Sequence, residues 1–139
     1  MLLDGSNHFI INMVKNYDIL SNPRNEDSGG IYASINKFLL EYNAIQPDYI
    51  ITSFDRGGST KHKKLNKNYK ANRKVNFRNR FKTDDEHIQY KIAFSRQLDI
   101  FKQFVECFPY SKIIGIPHVE GDFLLAKSKA IIDLSLIHI

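Results

Sequence analysis

Two short apolar runs in this chain each end in an aspartate, Leu2-Leu3-Asp4 and Ser53-Phe54-Asp55. A third run, Ile113-Ile114-Gly115-Ile116, is followed closely by Val119-Glu120-Gly121-Asp122, which brings two more acids to the start of a helix. If the runs are parallel strands, their carboxyl ends share one edge of the sheet, where open α/β folds collect their ligands. Asp4, Asp55, Glu120 and Asp122 then face one crevice. Carboxylates forced together repel unless a cation lies among them. No His or Cys shares their spacing, so the cation is hard and oxygen-loving: Mg²⁺ or Mn²⁺ rather than zinc. The simpler alternative is that Asp4 and Asp122 cap helices while Asp55 ends a strand in solvent. It accounts for each acid singly, and less readily for all three strand ends together.

The charge is distributed unevenly. The net charge of +5 conceals a segment from Arg56 to Lys82 that holds eleven Lys or Arg and no Asp or Glu, while the remainder is net −6. A cationic block on an acidic body serves polyanions, because neutralised phosphates release counterions; the alternative is a solvated, partly disordered loop. Together, an acidic metal cup and a neighbouring cationic block are what phosphodiester hydrolysis requires, with bound ions activating water and polarising the phosphoryl oxygen. Binding alone would not need the acids. The histidines (8, 62, 87, 118 and 138) are scattered singly and read as surface or packing residues.

These groups need a frame to hold them. Met1 to Leu3 reads as a buried strand, followed by a turn at Asp4-Gly5-Ser6-Asn7, and residues 21–30 read as a loop. Ile31, Ile35, Phe38, Leu39 and Tyr42 share one face of an amphipathic helix stopped by Pro47. The run from Tyr49 to Phe54 has the unbroken apolar character of a parallel strand covered on both faces. Thr83-Asp84-Asp85-Glu86 has capping-box spacing and opens a long helix. Its buried face is Tyr90, Phe94, Leu98, Phe101, Val105 and Phe108, and Pro109 closes it. A strand at 113–116 and a helix from Asp122 to Ile132 complete the alternation of an α/β layered fold with a mainly parallel sheet.

A chain of 139 residues forms one domain at most. Its single cysteine, Cys107, excludes an internal disulfide and a cysteine-rich zinc site. No apolar run approaches the ~20 residues that span a bilayer, and no secretory signal is visible. The expected setting is cytoplasmic, in a bacterial or phage-infected cell, without membrane association.

Phe54-Asp55-Arg56-Gly57-Gly58-Ser59, followed by Tyr69-Lys70-Ala71-Asn72-Arg73, resembles the signature of the 5′ nuclease family. That family includes flap endonucleases, the 5′–3′ exonuclease domain of bacterial DNA polymerase I and free-standing bacteriophage 5′ exonucleases. Leu2-Leu3-Asp4-Gly5-Ser6-Asn7 resembles its opening strand and Val119-Glu120-Gly121-Asp122 its Glu-Ala-Asp-Asp element, and the helix ending in Cys107-Phe108-Pro109 is most similar to the bacteriophage members. The resemblance implies a three-layer PIN-like fold in which residues 56–82 form a basic helical arch around a 5′ single strand. It implies a metal-dependent 5′–3′ exonuclease and flap endonuclease, acting in replication and repair as a monomer. Its substrates would be DNA with a 5′ flap or 5′ end, or an RNA–DNA hybrid.

Carried over position by position, the resemblance makes Asp4, Asp55, Glu120 and Asp122 ligands of Mg²⁺ or Mn²⁺, with two ions in the complete enzyme. Lys70 would contact the scissile phosphate and Arg73 would bind phosphate nearby. Arg56, Lys61, Lys63, Lys64, Lys67, Lys74, Arg78, Arg80 and Lys82 would contact nucleic acid, and Tyr69 would either stack on the terminal nucleotide or pack the base of the arch. Three departures accompany it. Phe123 stands where the family usually has a second Asp, and His62 where an arch arginine is common. The family's Asp-x-Asp element and helix-hairpin-helix would lie beyond Ile139, so residues 1–133 are expected to be the N-terminal part of a catalytic domain, inactive or weakly active alone. Residues 134–139 read as a translated sequencing adapter and are expected to be a non-native tail. Two other readings stay open: a catalytically impaired nucleic-acid-binding module, and a PIN-like ribonuclease.

Overall fold

The computed structural model describes residues 1–57 and 80–137, with side chains through Asp133. The arch expected at 56–82 therefore lies mostly outside the described residues, as do Lys61, His62, Lys63, Lys64, Lys67, Tyr69, Lys70, Arg73, Lys74 and Arg78, and so do the side chains of the expected tail. In chain order the elements are β1 (Leu2–Asp4), α1 (Gly5–Asn16), α2 (Gly29–Ile45), β2 (Ile50–Ser53), α3 (Asp84–Glu106), β3 (Ser111–Ile114) and α4 (Gly121–Ile137). The strands form a parallel sheet in the order β1-β2-β3, with Asp4 opposite Ser53 and Ser53 opposite Ile114. The α/β class with a parallel sheet is the one the sequence implies.

Helices α1, α2 and α3 pack on one another, with α1 against β1 and β2 and α3 against β3, while α4 packs against β1 and β2. The core between them is largely aromatic. Phe9 of α1, Phe38 of α2 and Phe101 of α3 are fully buried, and Phe101 packs against Phe9, Phe38 and Phe54 at centroid distances of 5.8, 6.3 and 6.3 Å. Burying each such ring contributes about 1.5–3 kcal/mol. Thr83 caps α3 as its spacing implies: its Oγ1 accepts the Glu86 N–H at 3.1 Å, while the Glu86 carboxylate accepts the Lys82 N–H at 2.7 Å.

Four expectations need correction. The chain from Gly5 to Asn16 is a helix, so the turn expected at Asp4-Gly5-Ser6-Asn7 is instead its cap and first turn. Its buried face includes His8 and Asn12, so hydrophobic spacing did not mark it. Both polar groups are satisfied locally: His8 Nε2 donates to the Ser34 carbonyl (3.0 Å) and Asn12 Nδ2 to the His8 carbonyl (2.9 Å). Strand β1 is an edge of the described sheet with Leu2 exposed, because only β2 pairs with it. Strand β3 begins at Ser111 rather than Ile113, because backbone pairing with Ile50 draws in the polar Ser111 and Lys112. Finally, α2 begins two residues early, at Gly29.

Candidate active site: an acidic cleft at the carboxyl edge of the sheet

All three strands point the same way, so their carboxyl ends meet along one edge. Beyond the sheet proper the chain after β2 and the chain after β3 remain zipped together. Phe54 N–H donates to the Ile114 carbonyl (2.9 Å), His118 N–H to the Arg56 carbonyl (3.0 Å), and Arg56 and Pro117 form a further parallel bridge. This places the turn carrying Asp55 beside the turn carrying Glu120. A cleft of about 230 Å³ opens there, lined by Asp4, Asp55, Glu120 and Asp122 together with Ser6, Asn7, Ile10 and Gly121. The four acids singled out in the sequence are brought together.

Two glycines permit this convergence. A Cβ on Gly5 would lie 2.6 Å from both Phe54 Cζ and Thr52 Cγ2, so only glycine lets α1 start directly against β2 and the residues after it. A Cβ on Gly121 would meet Ser53 Oγ at 2.7 Å and Asp55 Oδ1 at 3.3 Å, so glycine also sets the approach of α4.

The carboxylates are held in different ways. Asp4 is both the last residue of β1 and the N-cap of α1, its Oδ1 accepting the Asn7 N–H at 3.0 Å. The capping alternative is therefore correct for Asp4 and compatible with a place in the cleft. Asp55 is exposed yet doubly restrained, its N–H donating to Ser6 Oγ (2.8 Å) and its Oδ1 accepting the Gly121 N–H (2.7 Å). Asp122 lies in the first turn of α4 and accepts the Phe123 N–H (2.7 Å). Glu120 is 9% exposed.

Three of the acids are thus turned to backbone N–H groups rather than gathered about one point. Among the described residues, no three Asp, Glu, His or Cys side chains are disposed to hold a single ion. The chemistry of the donor set nevertheless fits a hard divalent cation: four carboxylates, a serine hydroxyl and an asparagine amide line the cleft, all oxygen donors. Rotating a carboxylate off its backbone partner costs about 1.5–3 kcal/mol, the usual worth of a hydrogen bond to a charged group.

Of the basic residues within the described chain, Arg56 is exposed immediately after Asp55, while Arg80 and Lys82 are exposed just before α3 and do not line the cleft. His8 is a core residue, stacked on Phe101 at 5.3 Å. Phe123, beside Asp122, is 53% exposed, with Lys127 Nζ 5.7 Å from its ring centre. Sequence reasoning missed Ser6, Asn7 and Ile10 as cleft residues. The available signal was the Asp4 cap, which turns 5–7 from a bend into the first turn of a helix facing β2. Among the described residues, no helix is long and apolar enough to cross a membrane.

No protein-family model matches this sequence, and comparison with curated proteins gave no relative. Solved structures do match. The chain superposes on the bacteriophage T5 flap endonuclease, in a pseudo-enzyme–product complex with DNA and metal ions, with a TM-score of 0.65 and 17% identity over 91% of this chain and 42% of that one. It superposes on the T5 5′-exonuclease with zinc bound with a TM-score of 0.62 and 20% identity, over 88% of this chain and 40% of that one. The chain therefore has the α/β fold of part of these phage nucleases, and spans about two-fifths of their length.

Proposed function

We propose that this chain carries part of the catalytic centre of a metal-dependent 5′ nuclease that hydrolyses phosphodiester bonds at the 5′ end or 5′ flap of DNA. One observation carries the reading: acids delivered by three parallel strands line one cleft, and the eleven-cation segment begins at Arg56, the residue after one of those acids. The fold shared with DNA- and metal-bound phage nucleases supports it.

In this reading Asp4, Asp55, Glu120 and Asp122 hold Mg²⁺ or Mn²⁺. When bound, such ions polarise the phosphoryl oxygen and supply hydroxide near neutral pH. The protein's own residues do the rest. Arg56 and the cations from Lys61 to Lys82 draw in and orient the single strand, offsetting the repulsion that four acids exert on phosphate. Lys70 and Arg73 sit in that segment as the groups that neutralise charge developing on the scissile phosphate. The test is cleavage of 5′-labelled single-stranded, 5′-flap and matching RNA oligonucleotides by a full-length version of the protein with Mg²⁺ or Mn²⁺. Metal-dependent release from the 5′ end of DNA supports the proposal. Cleavage confined to RNA supports the ribonuclease reading.

A second reading, a binding module without catalysis, is favoured by one feature. Phe123 puts an exposed ring where the resembling family has a carboxylate, leaving the cleft one acid short. DNA binding without cleavage, with cleavage appearing in Phe123→Asp, would establish it.

A further inference from the structure

We propose that Ser6 is a positioning residue for Asp55, and through it for divalent-ion binding in the cleft; this rests on the metal-site reading above. Asp55 lies past the end of β2 and is exposed. Phe54 and Arg56 on either side of it pair with the chain after β3, but the Asp55 N–H takes no part in that pairing and needs a tie of its own. The tie is the Asp55 N–H bonded to Ser6 Oγ at 2.8 Å, a link across 49 positions of sequence. Ser6 is itself fixed, because it sits in the first turn of α1, which Asp4 caps and Gly5 seats against Phe54 and Thr52. One short segment thus supplies an acid of the cleft at Asp4 and the support for another at Ser6. The second restraint, Gly121 N–H on Asp55 Oδ1, occupies part of the carboxylate with which Asp55 would hold an ion. The Ser6 bond engages the main chain and leaves both carboxylate oxygens available, so it is the restraint that persists when an ion is coordinated.

Groups that hold a metal ligand in place are worth about 10–100-fold in metal affinity. The experiment uses the full chain with Mn²⁺ as probe, reading free Mn²⁺ by electron paramagnetic resonance and Asp55 amide exchange by NMR. Ser6→Ala is expected to weaken Mn²⁺ binding at least tenfold and to accelerate exchange of the Asp55 amide. Ser6→Thr, which keeps the hydroxyl, should stay within a few-fold of wild type in both readouts. Ser6→Val has the shape of Thr without the acceptor and should behave like Ser6→Ala, which separates hydrogen bonding from packing even if Ser6→Ala folds poorly. Wild-type Mn²⁺ binding with Ser6→Val equal to Ser6→Thr would overturn the role of Ser6 and leave the metal-site reading standing. A wild-type chain that binds no Mn²⁺ would overturn both.

Discussion

Asp55 is restrained on its main chain by Ser6 and on its carboxylate by Gly121, so the consequence of changing its charge can be separated from that of moving it. Asn at this position keeps an oxygen for the Gly121 N–H and removes the charge. Asp55→Asn is expected to abolish cleavage by the complete nuclease while DNA binding stays intact or tightens, because one source of repulsion toward phosphate is gone. Gel assays with a 5′-labelled flap and fluorescence anisotropy read the two effects; near-wild-type cleavage in Mg²⁺ would remove Asp55 from the ligand set. Lys70→Ala should do the reverse of a binding lesion. It takes one of eleven charges from the segment, so affinity and its salt dependence change little while turnover falls by orders of magnitude. Binding and rate falling in proportion would make Lys70 an ordinary phosphate contact. At this scale the acids were legible in the sequence, because a parallel sheet sends the ends of its strands to one place. Ser6 was not, since its partner is a backbone N–H far along the chain, and no side-chain pattern encodes that.

Two residues of α3 tie down the loop before α2. Gln97, 1% exposed, accepts the Ile31 N–H through Oε1 and donates through Nε2 to the carbonyl and carboxylate of Asp27, while Arg96 bonds the Asp27 carbonyl and Glu26. Gln97→Leu leaves the Ile31 N–H buried without a partner, at a cost of about 2 kcal/mol; urea unfolding should show a lower midpoint with an unchanged slope. Tyr90 supplies a second measurable property of α3. Burial pushes its phenol up to about 12 from 10.0, against the pull of Arg80. The native state therefore keeps a proton that the unfolded chain releases between about pH 10 and 12, and stability present in full below pH 10 declines across that window. Tyr90→Phe should flatten that decline, as followed by unfolding at a series of pH values. Tyr90, Phe101 and Val105 were readable as the buried face of α3, since apolar residues three and four apart announce themselves. Gln97 was not, because a buried amide that ties two helices together looks, in sequence, like any surface glutamine. Helix α1 escaped for the same reason, its inner face being built partly from His8 and Asn12.

Taken whole, the sequence joins an acidic body to a cationic segment, and the fold shared with part of the phage nucleases brings the strand ends of the body to a single edge. The alternation of strand and helix made that fold class legible. The sheet's outer limits were less so, because whether Leu2 faces solvent or Ser111 joins a ladder depends on neighbours that a single strand's composition does not record. The backbone N–H partners of Asp4, Asp55 and Asp122 carry a consequence for folding thermodynamics. Each carboxylate already has a main-chain donor, so under the proposed function the cation is expected to bind an already folded protein rather than to form part of its folding nucleus. Chelator should then leave the cooperative melting transition in place. Added Mg²⁺ or Mn²⁺ should raise its midpoint by mass action alone, approaching about 2.7 kcal/mol of stabilisation at a hundredfold excess over the dissociation constant. Calorimetry in EDTA and across an ion titration reads this directly; a chain that loses its transition in EDTA would show that the ion and the fold form together.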